Sequence, residues 1–517
     1  MNNRYSDFIQ ANRGLWDKIP TREDTDGLLL VESVRHPIIS HANAVFARVI
    51  KEANGLSIGW IDSGDPEIQE RLMSYDSTSR TVSLYELTLS DWLAIGSRFV
   101  RSALKMLLSK DILSFSLDGI RFGDILYDSY LASYKVATIH RVNKGVLKIL
   151  LILIRNYYRF KKTLQDCNAS AVLVAHFIGT TSGVLMRTAL HLGIPVYNRT
   201  FGNNKVALNL RDSISDTYLT PYGPRPIDMQ MLSSIDQERL NREFQDLMEG
   251  RTSGSSDKDA KRAYSESKKT YHSKEQFSNE FQVSVDRKFV FVMLHAFNDH
   301  PHSHYGGMIF NDYYDWFVKT LEFAKTKPDV IWIFKEHPTA IYYPTRDISL
   351  ADHFTACPDH IVFMDRDSSF NAKSLLYLAD LIITVAGTAG IEFAAAAGVP
   401  SILAGRTIYS GHGFTIEPKT RTEYFQVLSE IETITKLSEE QRDVARKVFL
   451  YIQRYSHDSF SWSPLCLWEE TKDPDLDDYY WERVVQVYRE KPGVLVQEFN
   501  DYVRRVNASN FRRLAGL

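Results

Sequence analysis

At 517 residues, with 44% hydrophobic and 12% aromatic side chains, the chain has the makeup of a globular protein of two or more domains, not of a disordered or fibrous one. A formal net charge of −3 and a pI near 6.6 supply no basic field for nucleic acid, so no nucleic-acid partner is expected. Three scattered cysteines, Cys167, Cys357 and Cys466, are odd in number and lack a framework spacing, which points to free thiols in a reducing compartment.

The opening MNNRYSDFIQANRGLW has no apolar run of the signal-peptide kind. The longest apolar run, Val146–Ile154, contains Lys148 and falls short of the ~20 residues that cross a bilayer, so it is expected as a buried helix. A cytoplasmic protein is the expectation. The basic residues Arg155, Arg159, Lys161 and Lys162 leave room for a peripheral contact at the inner face of the plasma membrane. Upstream, Gly27–Val31 and Leu56–Ile61 read as strands around a helix carrying His41, Phe46, Val49 and Ile50. Ser40 is the expected N-cap of that helix, and His41 beside it is a candidate base. In Gly119–Tyr130 (GIRFGDILYDSY), Asp124 and Asp128 are four apart and share a helix face, able to bind acceptor hydroxyls or to pair with Arg121. Ala171–Ala175 is a further strand. The turn HFIGTTSG, a helix ending at Gly193 and a strand from Ile194 follow it.

Arg251–Glu280 is Ser- and Lys-rich and nearly free of aliphatics, so 251–284 is expected to connect an N-terminal domain, 1–250, to a C-terminal domain, 285–470, with a helical tail over 471–517. Lys288–Leu294 is a strand followed by His295, Asp299, His300 and His302. With His304 these histidines invite a metal, but no pair sits at helical spacing and Pro301 breaks the segment, so no metal is assigned. Val330–Phe334 is a strand that delivers Lys335-Glu336-His337-Pro338 at its carboxyl end, where α/β sheets bind ligands. Leu381–Val385 then feeds a small-residue turn that opens a helix at Thr388-Ala389-Gly390. Gly398-Val399-Pro400 ends that helix before strand Ser401–Leu403. The amides of Thr388, Ala389 and Gly390 suit a phosphate, and Glu392 in the first turn suits ribose hydroxyls. An ordinary crossover with close packing fits the same residues. The strand–turn–helix–Gly–strand order occurs in both halves, as two Rossmann-like domains require.

Taken in order, Lys335–Pro338, Ala379-Asp380, Thr388–Gly398 and Tyr409–Thr415 (YSGHGFT) resemble bacterial capsule-polysaccharide glycosyltransferases, including the Kdo transferases of capsule and O-antigen assembly. The resemblance covers Phe289–Leu428. It implies an α/β fold of two Rossmann-like domains facing a cleft (the GT-B architecture), with the C-terminal tail packing back on the N-terminal domain. It implies a nucleotide-sugar donor as substrate, a glycan or lipid-linked glycan acceptor, no cofactor, and room for contact with an assembly complex. Lys335 and His337 at their strand end suit phosphate, and His41, between a strand and a helix, is an alternative base. The resemblance implies that Asp299 is the catalytic carboxylate, with Asp128 second, where an Asp capping a turn near Pro is the other reading. The chain departs from the pattern at His295, where the family carries glutamine. A non-hydrolysing sugar-nucleotide epimerase, a polyol-phosphate transferase and a non-catalytic binding subunit share the same motifs, and fold analogy does not separate them.

Overall fold

The computed structural model describes residues 3–19, 27–202, 205–213, 223–253, 258–304, 306–338, 340–456, 458 and 476–507; Cys466 lies outside them. The chain divides into two compact units. Unit 1 contains Met1–Leu126, Val142–Leu219 and His457–Gly516; unit 2 contains Tyr127–Arg141 and Thr220–Ser456.

Unit 1 carries strands β1 (Leu28–Val31), β2 (Ser57–Ile61) and β3 (Arg80–Val82), a small hairpin of β4 (Ser116–Leu117) and β5 (Ile120–Arg121), then β6 (Ala169–Val174), β7 (Val196–Gly202) and β8 (Lys205–Arg211). The sheet order is β3-β2-β1-β6-β7-β8, parallel except for the antiparallel β7–β8 pair. Unit 2 carries β9 (Lys288–Met293), β10 (Val330–Lys335), β11 (Ile361–Met364), β12 (Leu381–Thr384), β13 (Ser401–Leu403) and β14 (Thr415–Ile416), in the order β11-β10-β9-β12-β13-β14 and parallel throughout. With the hairpin set aside, both sheets follow the doubly wound order 3-2-1-4-5-6, so each unit is Rossmann-like. Strands buried on both faces need no alternation, which explains the unbroken apolar runs LLLV and VIWIF.

Helix starts and stops follow local chemistry. Helix Pro37–Asn54 starts with proline at its first turn and closes at Gly55, whose φ of 69° lets its amide reach the Lys51 carbonyl at 2.7 Å. This start lies three residues before Ser40, so Ser40 is not the cap; its hydroxyl is buried inside the helix's first turns. Helix Ala389–Ala397 closes the same way at Gly398 (φ 66°), and Pro400 then leads into β13. On one face of the unit 1 sheet the core is built from helices Asn3–Trp16, Pro37–Asn54, Leu476–Glu490 and Pro492–Asn507. The last two contact the first two, so the described part of the tail belongs to unit 1.

The expected division of the chain needs correction. The segment read as a connector, 251–284, is part of unit 2 and forms helices Lys258–Ala263 and Lys274–Phe281. Tyr264, Tyr271 and Phe277 from it are buried with Phe289, Phe291 and Phe370. Aromatic rings spaced between Lys and Ser supply the burial that a shortage of aliphatics conceals. Phe277→Ala should therefore lower stability by about 3–5 kcal/mol in urea denaturation, whereas a residue of an exposed connector would change it by no more than about 0.5 kcal/mol.

Candidate functional site

In unit 2 the strand order reverses between β9 and β12, and the carboxyl ends of β9, β10 and β12 bring the sequence-selected residues together. His295 follows β9. Its Nε2 accepts the Ala386 amide at 3.1 Å and lies 3.1 Å from the Thr384 hydroxyl. Accepting an amide requires a bare Nε2, so the ring proton sits on Nδ1. The ring stacks on Tyr313 with centroids 4.4 Å apart. Burial, and then the neighbouring His337, hold the His295 pKa down to about 3, which keeps the imidazole neutral.

The turn after β12 is braced from both sides. The Gly387 amide donates to Thr384 Oγ1 at 3.1 Å, the Thr407 hydroxyl to the Ala386 carbonyl at 3.2 Å, and the Tyr409 hydroxyl to the Gly387 carbonyl at 2.6 Å. A Cβ at Gly390 would run into that tyrosine hydroxyl, so close packing accounts for this glycine. Thr388 is exposed, and its side chain caps nothing. Among the described residues, the amides of Thr388 and Ala389 have no hydrogen-bond acceptor. They head a nine-residue helix, where positive partial charge collects.

His337, half-buried after β10, is close enough to His295 to depress its pKa. Lys335 keeps other company. It is 2% exposed, its Nζ has no hydrogen-bond partner among the described residues, and it lies 5.9 Å from the Phe370 ring centre. Burial first, then Lys268, lowers its pKa to about 8. Asp299 lies half-buried in the loop after β9, in a turn closed by its amide on the Ala296 carbonyl at 3.1 Å. Glu392 is buried and already engaged: Arg251 grips both its oxygens at 3.0 Å, and the Tyr264 hydroxyl donates to Oε1 at 2.5 Å. Its expected ribose contact would compete with these bonds. Asp380, part of the family-like pattern, serves the sheet instead, accepting the Phe289 amide at 2.8 Å and pairing with Lys274 at 2.5 Å.

Two candidates for catalysis are corrected. His41 is fully buried, 2.5 Å from the Tyr75 hydroxyl and surrounded by Tyr480, Trp481 and Tyr488 in the unit 1 core, out of reach of any acceptor. Asp128 is likewise fully buried. It accepts the amide and hydroxyl of Ser303, both at 2.6 Å, and the amide of His302 at 3.0 Å, and so fixes the histidine-rich loop. Asp124, its neighbour in the sequence, is gripped by Arg187 at 2.6 and 2.7 Å, and against the effect of burial the charges of Arg187 and then Arg121 lower its pKa. Among the described residues no group of three or more His, Cys, Asp or Glu side chains is placed to hold a metal.

Several organising residues carry no sequence signal of their own. Arg251 and Tyr264 fall in the segment read as a connector. Glu32 ends β1, at the strand reversal of unit 1, and accepts the Ala175 amide at 2.8 Å and the Ser182 hydroxyl at 2.7 Å. Burial raises its pKa. His295 did stand out, as the departure from the family pattern.

No protein-family model and no curated protein matches the chain. Among solved structures it is similar to the beta Kdo 2,4 transferase KpsC of Thermosulfurimonas dismutans, at 15% identity over 54% of this chain and 79% of that one, with a TM-score of 0.34. It is also similar to UDP-GlcNAc 2-epimerase from Neisseria meningitidis, at 13% identity over 82% and 99% of the two chains (TM-score 0.24). A third match is the wall teichoic acid polymerase TagF, at 10% identity over 95% and 99% (TM-score 0.23). At these scores no residue of the chain takes a role from a matched structure.

Two outcomes follow from the site. A histidine with a folded pKa of about 3 against 6.5 in the unfolded chain is protonated first in the unfolded chain, so stability falls as pH drops below about 6.5. His295→Gln should remove about 2 kcal/mol of the loss between pH 7.5 and pH 5, as read from thermal melts at the two pH values. Arg251→Ala strands a buried carboxylate and should cost about 3–5 kcal/mol. Arg251→Ala/Glu392→Leu should recover much of that loss in the same melts.

Proposed function

We propose that the chain is a glycosyltransferase that moves a sugar from a nucleotide-sugar donor onto a bacterial surface glycan, capsule or O-antigen, or its lipid-linked precursor. One observation carries this reading: the turn at 386–389 is held by His295, Thr384, Thr407 and Tyr409 so that the amides of Thr388 and Ala389 stay unengaged at a helix head, in the family-like order after His337. Such a turn receives the phosphate next to the sugar. When the bond from the anomeric carbon to the phosphate oxygen breaks, that oxygen keeps the electron pair. The waiting amides and the His337 imidazole stabilise the new charge without rearrangement. The acceptor hydroxyl oxygen forms the new bond to the anomeric carbon, and Asp299 takes its proton. Lys335, buried without a hydrogen-bond partner, adds positive potential behind β10.

A thermal-shift panel of CMP, UDP, GDP and CDP with their sugar conjugates tests the reading. One base should stabilise the protein selectively, by about 2.7 kcal/mol at a hundredfold excess over Kd. His337→Ala should weaken that shift. Asp299→Ala should keep it and lower transfer by about 10²–10⁴-fold. A protein shifted by no nucleotide is not this enzyme, and donor conversion with no acceptor present would mark an epimerase.

A further inference from the structure

Helix Leu89–Ser109 in unit 1 presents two different apolar faces. Asp91, Ile95, Ala103 and Met106 are buried, and the helix packs against helix Lys144–Asp166. A second stripe, turned about two fifths of a revolution away at 3.6 residues per turn, consists of Leu89, Leu93, Val100, Leu104, Leu107 and Leu108. Every one of these is exposed, from 49% at Leu107 to 77% at Leu89 and 84% at Leu108. Trp92 at the same end is 47% exposed. Monomeric proteins seldom leave so long an apolar stripe in water.

Along the helix itself the exposed charge beside the stripe is cationic, with Glu86 and Asp111 exposed just beyond its ends and Asp118 paired to Arg98. Arg101 and Lys105 flank it along the helix, and Lys110 stands at its end, all exposed. Asp91 is the sole acidic residue between Leu87 and Lys110, and it is turned inward, holding the helix cap and pairing with Lys162 at 2.6 Å. The adjoining Lys144–Lys162 has no acidic residue and exposes Lys144, Lys148 and Leu151. Among the described residues no helix is long and apolar enough to cross a membrane, so this surface would lie along one.

We propose that the exposed stripe of helix Leu89–Ser109, with the cations beside it, is a docking surface for an anionic lipid bilayer. The leucines and Trp92 enter the boundary between headgroups and acyl chains while Arg101, Lys105 and Lys148 meet the lipid phosphates. A second protein copy fits less well, because a self-complementary interface would set these cations against each other. The surface is independent of the reaction proposed above.

Co-sedimentation of the full chain with phosphatidylglycerol/phosphatidylethanolamine vesicles, compared with pure phosphatidylcholine vesicles, tests this. The wild type should pellet with the anionic vesicles, and Leu93→Glu/Leu104→Glu should lower the partition coefficient at least about tenfold with an unchanged melting point, both positions being exposed. Arg101→Glu/Lys105→Glu should erase the preference for anionic over neutral vesicles. If the first variant misfolds, Leu89→Gln/Leu108→Gln at the two ends makes the same measurement. A wild type that stays in solution with anionic vesicles, or leucine variants that bind as it does, overturns the proposal. So does a wild-type dimer that Leu93→Glu/Leu104→Glu makes monomeric without any vesicle binding, since the stripe would then join two copies.

Discussion

The hydrogen bond from the Ala386 amide to His295 Nε2 is the contact on which the candidate site depends. It ties the loop after β9 to the turn after β12, across the point where the strand order reverses. Once the Ala386 and Gly387 amides and carbonyls are satisfied by four side chains, the next two amides have no internal acceptor and must be met from outside. A protonated imidazole would have no lone pair for Ala386, so the bond exists because burial and His337 keep the ring neutral. Glutamine, which the family resemblance expects at this place, has a carbonyl oxygen that could accept the same amide. A buried imidazole in this place makes the bond sensitive to acid.

Around this turn, much of the charge that looks chemical in the sequence is structural. Asp124, Asp128 and Glu392 are buried carboxylates, each with its oxygens engaged by Arg187, by the Ser303 region or by Arg251 and Tyr264. A buried carboxylate with three strong donors is a poor base, because moving it or protonating it breaks bonds that burial makes costly. Asp299, in the loop after β9, is half-buried, and Lys335 is buried with an ammonium that no described group hydrogen-bonds. The Lys335 charge is disfavoured by burial and Lys268 and favoured by Asp365 and Glu336.

Much of the fold was legible because parallel strands buried on both faces must be continuously apolar. LLLV, VIWIF and LIIT announced β1, β10 and β12, and glycines at 193 and 398 announced where helices end. The unit boundary was not legible, since Tyr264, Tyr271 and Phe277 bury rings within a polar stretch that counts as linker by composition. Helix Leu89–Ser109 escaped notice for the opposite reason: its apolar residues do not share one face, so periodicity blurs a buried stripe into an exposed one.

By itself the sequence determined the fold class, the central strands of both sheets and which segments lie at the ligand side of the second sheet, because each depends on short apolar runs read along the chain; β3, β8, β11 and β14 went unread. Only the tertiary structure decided which ionisable groups remain available there. Availability depends on partners distant in sequence, Arg251 for Glu392, Tyr75 for His41 and Ser303 for Asp128, and no local spacing records them.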